Sequence, residues 1–385
     1  MSAVLFVSNG HGEAAIAERI AVEVASLSPQ TRRDHLALVG DMPSESLHDV
    51  GPRAAMPSGG LIAMGNVRNI ARDVRAGLLG LTLSQRTFLR SVRGSYEATV
   101  AVGDVFALVM ALQTRAPAIF VGTAKSVNVA PYGPFETRML RRATACFVRD
   151  AATAERLRAR GAHAETANVI ADLAVSNDDA RAELAAGGFA PAIALFPGSR
   201  ASAYEQAAFL LDVTAGLIEA RAGLGAILSV SRNLEIERFA AVARRGGWEV
   251  TFSGEDATPF TLAIGGRIGV RAWRGALAPL FPRVTLVLGQ AGTANEAAAA
   301  AGVPVVAFEN REEPGPGWYR QRQSALLGEA MAILPADAAA AQTAILALLD
   351  DAPRRARMSA AGRERMGEPG AAQRIARRIA DTVGV

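Results

Sequence analysis

Apolar residues in this chain gather into short unbroken runs separated by stretches of helical periodicity. The runs are Ala3–Ser8, Thr99–Val102, Ala118–Val121 and Ala145–Val148 in the first half. In the second half they are Ile193–Phe196, Ala226–Val230, Glu249–Phe252, Val284–Leu288, Val303–Phe308 and Ala330–Leu334. Strands that are apolar throughout, rather than alternating, belong to parallel sheets covered on both faces. Helical patterns fall between them, reaching Leu27 after the first run and covering Ala151–Arg160, Ala203–Ala220, Leu234–Arg245, Tyr319–Leu327 and Ala338–Leu349. The clearest unit is Val284–Phe308: a strand, a loop Gly289–Gly292, an Ala-rich helix stopped by Gly302, and a second strand. Such strand–helix–strand units cross over with a right hand.

Around Ser176–Gly188 the composition turns small and polar, which predicts a linker with one short helix. The spacing therefore predicts residues 1–175 as one domain and 189–352 as a second, followed by an Arg-rich tail, 353–385, begun by Pro353 and broken at Pro369. A chain of 385 residues, 50% hydrophobic, suffices for two cores. The predicted class is α/β: two doubly wound, Rossmann-like parallel-sheet domains facing each other across a cleft.

Open parallel sheets bind ligands outside the carboxyl ends of their strands. Two turns in the second domain fall there. Pro197-Gly198-Ser199-Arg200 follows one strand, and Gln290, Gly292, Thr293 and Glu296 follow another. Glycine lets backbone N–H groups approach an anion, a helix N-terminus adds partial positive charge, and Arg200 adds a guanidinium fork that matches phosphate. The expectation is a diphosphate site. Each turn also carries a plain structural pattern: Ser202-x-x-Glu205 and Thr293-x-x-Glu296 both read as capping boxes. Glu296 can fold back on its helix or accept hydrogen bonds from a ribose, and one side chain serves both readings. In the first domain His11, Glu13 and Asp104 follow strands and are the candidates for a proton transfer. Glu13 and Asp104 suit helix caps equally well.

Charge and composition narrow the classes. There are 41 Lys+Arg against 37 Asp+Glu, and Lys125 is the only lysine, a balance that fits anionic ligands or lipid heads as well as a GC-rich genome. The stretch Asn66–Arg93, with a break near Gly77–Gly80, mixes Arg68, Arg72, Arg75, Arg86 and Arg90 with Leu78, Leu79, Leu81 and Phe88. It reads as a basic amphipathic surface for an anionic membrane, or as an ordinary helix with a solvated Arg face. No run is long enough to span a bilayer, and the N-terminus lacks a signal peptide's basic region and cleavage site. One cysteine, Cys146, excludes an internal disulfide and suits a reducing cytoplasm. Metal-ligand, Walker-A and GxSxG patterns are missing, which disfavours zinc, P-loop and α/β-hydrolase chemistry. Gly10-x-Gly12 falls short of the dinucleotide fingerprint, so NAD is not expected and no cofactor is. Scattered charge and 5% aromatics argue against nucleic acid.

Leu195–Arg200, then Gly292-Thr293-Ala294-Asn295-Glu296-Ala297 and Gly302–Val306, resemble lipid-A-disaccharide synthase. Gly12-Glu13, Gly103-Asp104 and Asn168…Asp172 extend the likeness. The segment 315–328, with Gly60-Leu61, Gly122–Ser126 and Arg149-Asp150, is similar to the lipid-A-disaccharide synthase-related branch. The resemblance implies a GT-B fold and a metal-independent inverting glycosyltransferase. Such an enzyme moves a sugar, a GlcNAc derivative, from UDP to a lipid-linked or amphipathic acceptor at the inner face of the cytoplasmic membrane. It also implies roles: Gly198, Ser199, Arg200, Gly292 and Thr293 on the diphosphate, Glu296 on the ribose, and backbone around Val270 on the uracil. Gln321 and Gln323 would lie at the donor sugar, with Gln290 and the motif's Asn295 in the same donor set. Glu13 and Asp104 would face the acceptor, His11 would lie where the lipid II-forming glycosyltransferase also has a Gly-flanked histidine, and the helix Ala371–Val383 would cross back to the first domain. The sequence departs from the family at Ala167-Asn168-Val169, where the family has Gly-Asn-Pro, and at Gln290-Ala291, where a serine is usual. The alternatives carried forward are a UDP-sugar 2-epimerase of the same fold and a non-catalytic nucleotide-sugar-binding relative.

Overall fold

The computed structural model describes residues 2–40, 44, 46–56, 73–123, 125–127, 129–175, 179–309 and 318–384. Gly60-Leu61, Arg68 and Arg72, with the rest of 57–72, lie outside them, as do Ala124 and 315–317. The chain divides into two compact units, one of Met1–Asp172 with Glu368–Val385 and the other of Leu173–Gly367.

Unit 1 is built on strands β1 (Ala3–Ser8), β2 (Arg32–Ala37), β3 (His48–Asp49), β4 (Ala98–Gly103), β5 (Ala118–Gly122), β6 (Ala145–Val148) and β7 (Ala164–Thr166). They form a seven-stranded sheet in the order β3-β2-β1-β4-β5-β6-β7. Every pairing among them is parallel. β1, β4, β5 and β6 are buried along their whole length, as their unbroken apolar runs require. Helices α1 (His11–Leu27), α2 (Leu78–Ser91), α3 (Val105–Ala111), α4 (Pro134–Leu140) and α5 (Ala151–Arg158) connect them, and α6 (Val169–Leu173) closes the segment. α2 starts behind Gly77, whose φ of 97° makes the break foreseen near Gly77–Gly80. The chain winds from β1 outward to β3, returns to the other side of β1 at β4, and continues to β7. The carboxyl ends of β1 and β4 therefore flank the point where the winding reverses.

β2 was not predicted, because it carries Asp34 and His35. Both are buried and satisfied internally: Tyr96 donates its hydroxyl to Asp34 at 2.7 Å, while His35 Nε2 meets Ser8 Oγ at 2.9 Å. His35 Nδ1 lies 2.9 Å from Ser44 Oγ and 3.3 Å from Asp49. Burial pushes the His35 pKa down, against the pull of Asp49.

Unit 2 holds β8 (Ala192–Phe196), β9 (Gly225–Ser229), β10 (Glu249–Phe252), β11 (Phe260–Ile264), β12 (Arg267–Trp273), β13 (Leu286–Gly289), β14 (Val305–Phe308) and β15 (Met331–Leu334). The order is β10-β11-β12-β9-β8-β13-β14-β15. The sheet is parallel from β12 to β15, and β10, β11 and β12 pair antiparallel at one edge. Its helices are α7 (Ala180–Ala186), α8 (Ala203–Ala220), α9 (Ile236–Arg245), α10 (Thr293–Ala300), α11 (Trp318–Leu327), α12 (Ala338–Asp350) and α13 (Ala352–Met366). Here the winding reverses between β8 and β13. α10 ends as its sequence indicates: Gly302, at φ 79°, and Val303 donate to Ala299 and Ala298, closing a Schellman turn.

The tail divides later than the expected boundary at residue 353. α13 stays in unit 2, where Gly362 lets its backbone lie against the Ala299 carbonyl; any Cβ there would collide with it. The final helix α14 (Ala371–Val383) belongs to unit 1 and packs along α1, burying Ala372, Ile375, Ala376 and Ile379. Buried Asp172 accepts the N–H groups of Gly370 at 2.5 Å and Ala372 at 2.9 Å, so a side chain from α6 caps α14.

Candidate functional site

In unit 2 the two predicted turns leave adjacent strands. Gly289 pairs with Phe196 across β13 and β8, and Gln290 N–H donates to the Phe196 carbonyl at 2.8 Å. Pro197–Arg200 and Gln290–Glu296 thus lie side by side at the switch point of the sheet. Gly198 has φ 108°, a value L side chains rarely adopt, and the space above it is open. Asn233, at the loop after β9, donates to the Ser199 carbonyl at 2.8 Å and holds the first turn in place.

Neither expected capping box forms. α10 begins at Thr293 with Gly292 at its N-cap, α8 begins behind Ser202, and no side chain caps either helix. Helices elsewhere in the chain are closed by Asp150, Asp179, Asp337 and Asp351. Two helix N-termini without side-chain caps at one sheet edge form an arrangement suited to an anion. Arg200 is half-buried beside them. It makes no ion pair among the described residues, and its buried Nε has no hydrogen-bond partner.

Other members of the predicted set make hydrogen bonds within the protein. Asn295 is fully buried and donates to the Gly289 carbonyl at 3.1 Å. Gln323, also buried, accepts from Asn295 at 3.4 Å and donates to the carbonyls of Ala291 (3.3 Å) and Gly292 (3.0 Å). These two amides brace the glycine turn from beneath. Gln290 Oε1 accepts from Phe308 N–H at 3.4 Å, tying the same turn to β14. Gln321 is exposed on α11, and Glu296 is half-buried on the first turn of α10. Val270 is a correction: it sits mid-strand in β12, its side chain fully buried and its backbone paired to Leu262 on one side and Ala226 on the other. A backbone already committed to two ladders cannot read a base; the carboxyl end of that strand is Trp273.

A tight contact explains Gly289. A methyl group there would run into Asn295 Oδ1 and come within 2.7 Å of Asn295 Cγ and 2.9 Å of Nδ2. Gly289→Ala is expected to cost about 1–3 kcal/mol by overpacking. Asn295→Ala alone loses the brace, but the double variant returns space to the methyl group. Urea melts of the cycle should show the double variant at least about 1 kcal/mol more stable than the summed singles; strict additivity would reject the contact.

In unit 1 the reversal at β1 and β4 gathers the remaining candidates. Asn9 and Glu13 both pack against Gly103, and Asn9 is close enough to Asp104 to favour its charged form. Asp104 caps α3, accepting from Phe106 N–H at 2.8 Å and Ala107 N–H at 3.3 Å, while burial raises its carboxyl pKa against those bonds. Glu13 lies in the first turn of α1, which starts behind Gly10. His11 lies by Gly40, where a methyl group would come within 3.3 Å of its ring. Two residues were missed: Asn9 and Thr123. Each holds a buried oxygen without a hydrogen-bond partner, and each directly follows a strand of this edge. An asparagine heading the turn Asn9–Glu13 was the available signal, and for Thr123 it was its place in the Gly122–Ser126 segment of the resemblance. Among the described residues no group of His, Cys, Asp and Glu could hold a metal ion, and no helix is long and apolar enough to cross a membrane.

No protein-family model matches the sequence. No curated protein matches it either. Solved structures do match, along essentially their whole length. The UDP-GlcNAc 2-epimerase from Neisseria meningitidis bound to UDP-GlcNAc aligns at TM-score 0.61 and 12% identity, over 98% of this chain and 100% of that one. The Methanocaldococcus jannaschii UDP-GlcNAc 2-epimerase aligns at 0.55 and 12%, over 99% and 100%. Phytolacca americana UGT2, complexed with UDP-2fluoro-glucose and pterostilbene, aligns at 0.62 and 11%, over 100% of both. With the two doubly wound units, these likenesses establish the GT-B fold for this chain.

Proposed function

We propose that the chain binds a UDP-sugar at the β8/β13 edge and breaks the bond between its anomeric carbon and the diphosphate. The observation that carries this reading is the adjacency of two glycine turns, two helix N-termini without side-chain caps and the Arg200 guanidinium at one switch point. Heterolysis leaves the bonding electron pair on the diphosphate, and preorganised N–H dipoles plus one guanidinium stabilise that growing charge. UDP as the nucleotide is supported by neighbours of this fold whose structures hold UDP-sugars.

Two outcomes share that first bond. In 2-epimerisation a proton leaves C2 as UDP departs, and the resulting double bond is re-protonated at C2 from the opposite face while the UDP oxygen adds back to C1. In transfer an acceptor hydroxyl attacks C1 and gives up its proton. The epimerase neighbours favour the first, and the resemblance of Pro197–Arg200 and Gly292–Ala297 to lipid-A-disaccharide synthase supports the second. Incubation with UDP-GlcNAc alone separates them: a 2-epimer formed without acceptor establishes epimerisation, and UDP release only with an added lipid-linked acceptor establishes transfer. Neither turnover nor UDP binding would reject the proposal.

Asp104 is assigned the proton step. Asparagine caps a helix as well as aspartate, so Asp104→Asn keeps the fold. It should lower kcat about 10²- to 10⁴-fold if the carboxyl moves a proton; a residue that only caps leaves kcat unchanged. Stability carries its own pH dependence. A carboxyl raised by burial favours its neutral form in the folded state, so its contribution is full at low pH and fades as pH climbs through the folded pKa. Thermal melts of wild type should therefore fall relative to Asp104→Asn over that rise.

A further inference from the structure

We infer that unit 1 carries a second anion site, for a phosphate-bearing group, on the outer face of α4 and the turn after α5. Arg138, Arg141, Arg142 and Arg160 line one depression of about 850 Å³ with Pro134 and Thr137. That volume is within the range of small-molecule sites. All four arginines are exposed, and among the described residues none of them makes an ion pair. The carboxylate on the same helix, Glu136, is already engaged by Lys125 at 2.7 Å and by the Gly133 N–H at 2.8 Å. Arg160 is turned toward α4 by its bond to the Tyr132 carbonyl at 3.5 Å, and Arg141 Nε lies over Gly161, so the two segments are neighbours.

A helix dipole accounts for a cation at each C-terminus. It does not account for four guanidiniums facing one hollow, where like charges repel until a counter-anion joins them. Planar guanidinium forks match phosphate oxygens in pairs, and four of them can hold a group of two or more charges. α4 and α5 follow the adjacent strands β5 and β6, so their last turns lie at the amino-terminal edge of the sheet. Asn9 and Asp104 lie at the other edge, and the diphosphate turns belong to unit 2. The inference is therefore independent of the proposed sugar-nucleotide chemistry. The phosphate could be free or carried on a lipid head, and the chemistry of recognition is the same.

The test compares the full chain with the variant Arg138→Gln/Arg141→Gln/Arg142→Gln/Arg160→Gln. Pyrophosphate and UDP are titrated by calorimetry, and vesicles of phosphatidylcholine, with and without phosphatidylglycerol, are co-sedimented. All four positions are exposed, so the fold should survive, and circular dichroism checks it. If it does not survive, the single Arg141→Glu replaces the quadruple variant in every arm. Loss of a pyrophosphate site by about tenfold or more in Kd, with UDP binding unchanged, supports a free anion. Loss of phosphatidylglycerol-dependent sedimentation alone supports a lipid head. Equal behaviour of both proteins in every arm overturns the inference; Arg200→Ala, by contrast, should weaken UDP while leaving phosphatidylglycerol-dependent sedimentation as in wild type.

Discussion

Replacing Arg200 with alanine is expected to weaken UDP binding about 10- to 100-fold, the worth of charge-assisted hydrogen bonds. The melting temperature should stay within about 2 °C, because the side chain contributes no ion pair to the fold. The argument rests on what surrounds the guanidinium. Gly198 and Gly292 keep the approach clear of Cβ atoms, and two helix N-termini lack the aspartate that closes so many others. An anion placed there meets amides already oriented by β8 and β13, so little reorganisation opposes binding. Arg200→Lys keeps the charge but loses the planar fork, and should fall between wild type and alanine. Calorimetry of UDP with the three proteins decides it. Alanine binding as tightly as arginine would place the diphosphate elsewhere and remove the basis of the proposed function.

The turns that carry this site were legible because apolar strands announce their own carboxyl ends. Leu195-Phe196 and Val287-Leu288 are unbroken and buried, and whatever follows them must emerge at the sheet edge. The antiparallel edge was legible too, but was passed over. Gly265-Gly266 between Phe260–Ile264 and Arg267–Trp273 is a two-residue hairpin signal, and both glycines have positive φ, 58° and 74°. Reading it would have put Val270 inside a strand and withdrawn it from the site. β2 could not be read by the same rule, since Asp34 and His35 break its apolar run and are satisfied by Arg32, Tyr96, Ser8, Ser44, His48 and Asp49. Capping was misjudged for a related reason. The pattern Thr293-x-x-Glu296 fits a capping box, but the helix starts one residue early for it, with Gly292 at the N-cap. A local pattern states what a side chain can reach, and the surrounding sheet determines where the first turn begins.

Asp172→Ala should produce the largest loss of stability, about 2–4 kcal/mol. Sequence alone marks Asp172 only as part of a family likeness; the structure shows a buried carboxylate holding two N–H groups of a helix about two hundred residues away. Removing it leaves the Ala372 N–H buried and unmet and the Gly370 N–H half-buried without its acceptor, and unmet buried donors cost more than the bonds themselves are worth. α14 is otherwise held to unit 1 by a narrow apolar stripe on α1 and by the exposed pair Arg378–Glu165 at 2.8 Å, which contributes little. The loss should therefore be local first: α14 should release before the sheet melts. Asp172→Asn keeps one acceptor but turns a second donor toward an N–H, so it should recover less than half. Limited trypsin digestion reads the release directly, with cleavage near Arg365 and Arg374 rising in the alanine variant, while urea melts give the free energy. A loss below about 0.5 kcal/mol, within the range of ordinary surface changes, would mean that the apolar stripe alone seats the helix.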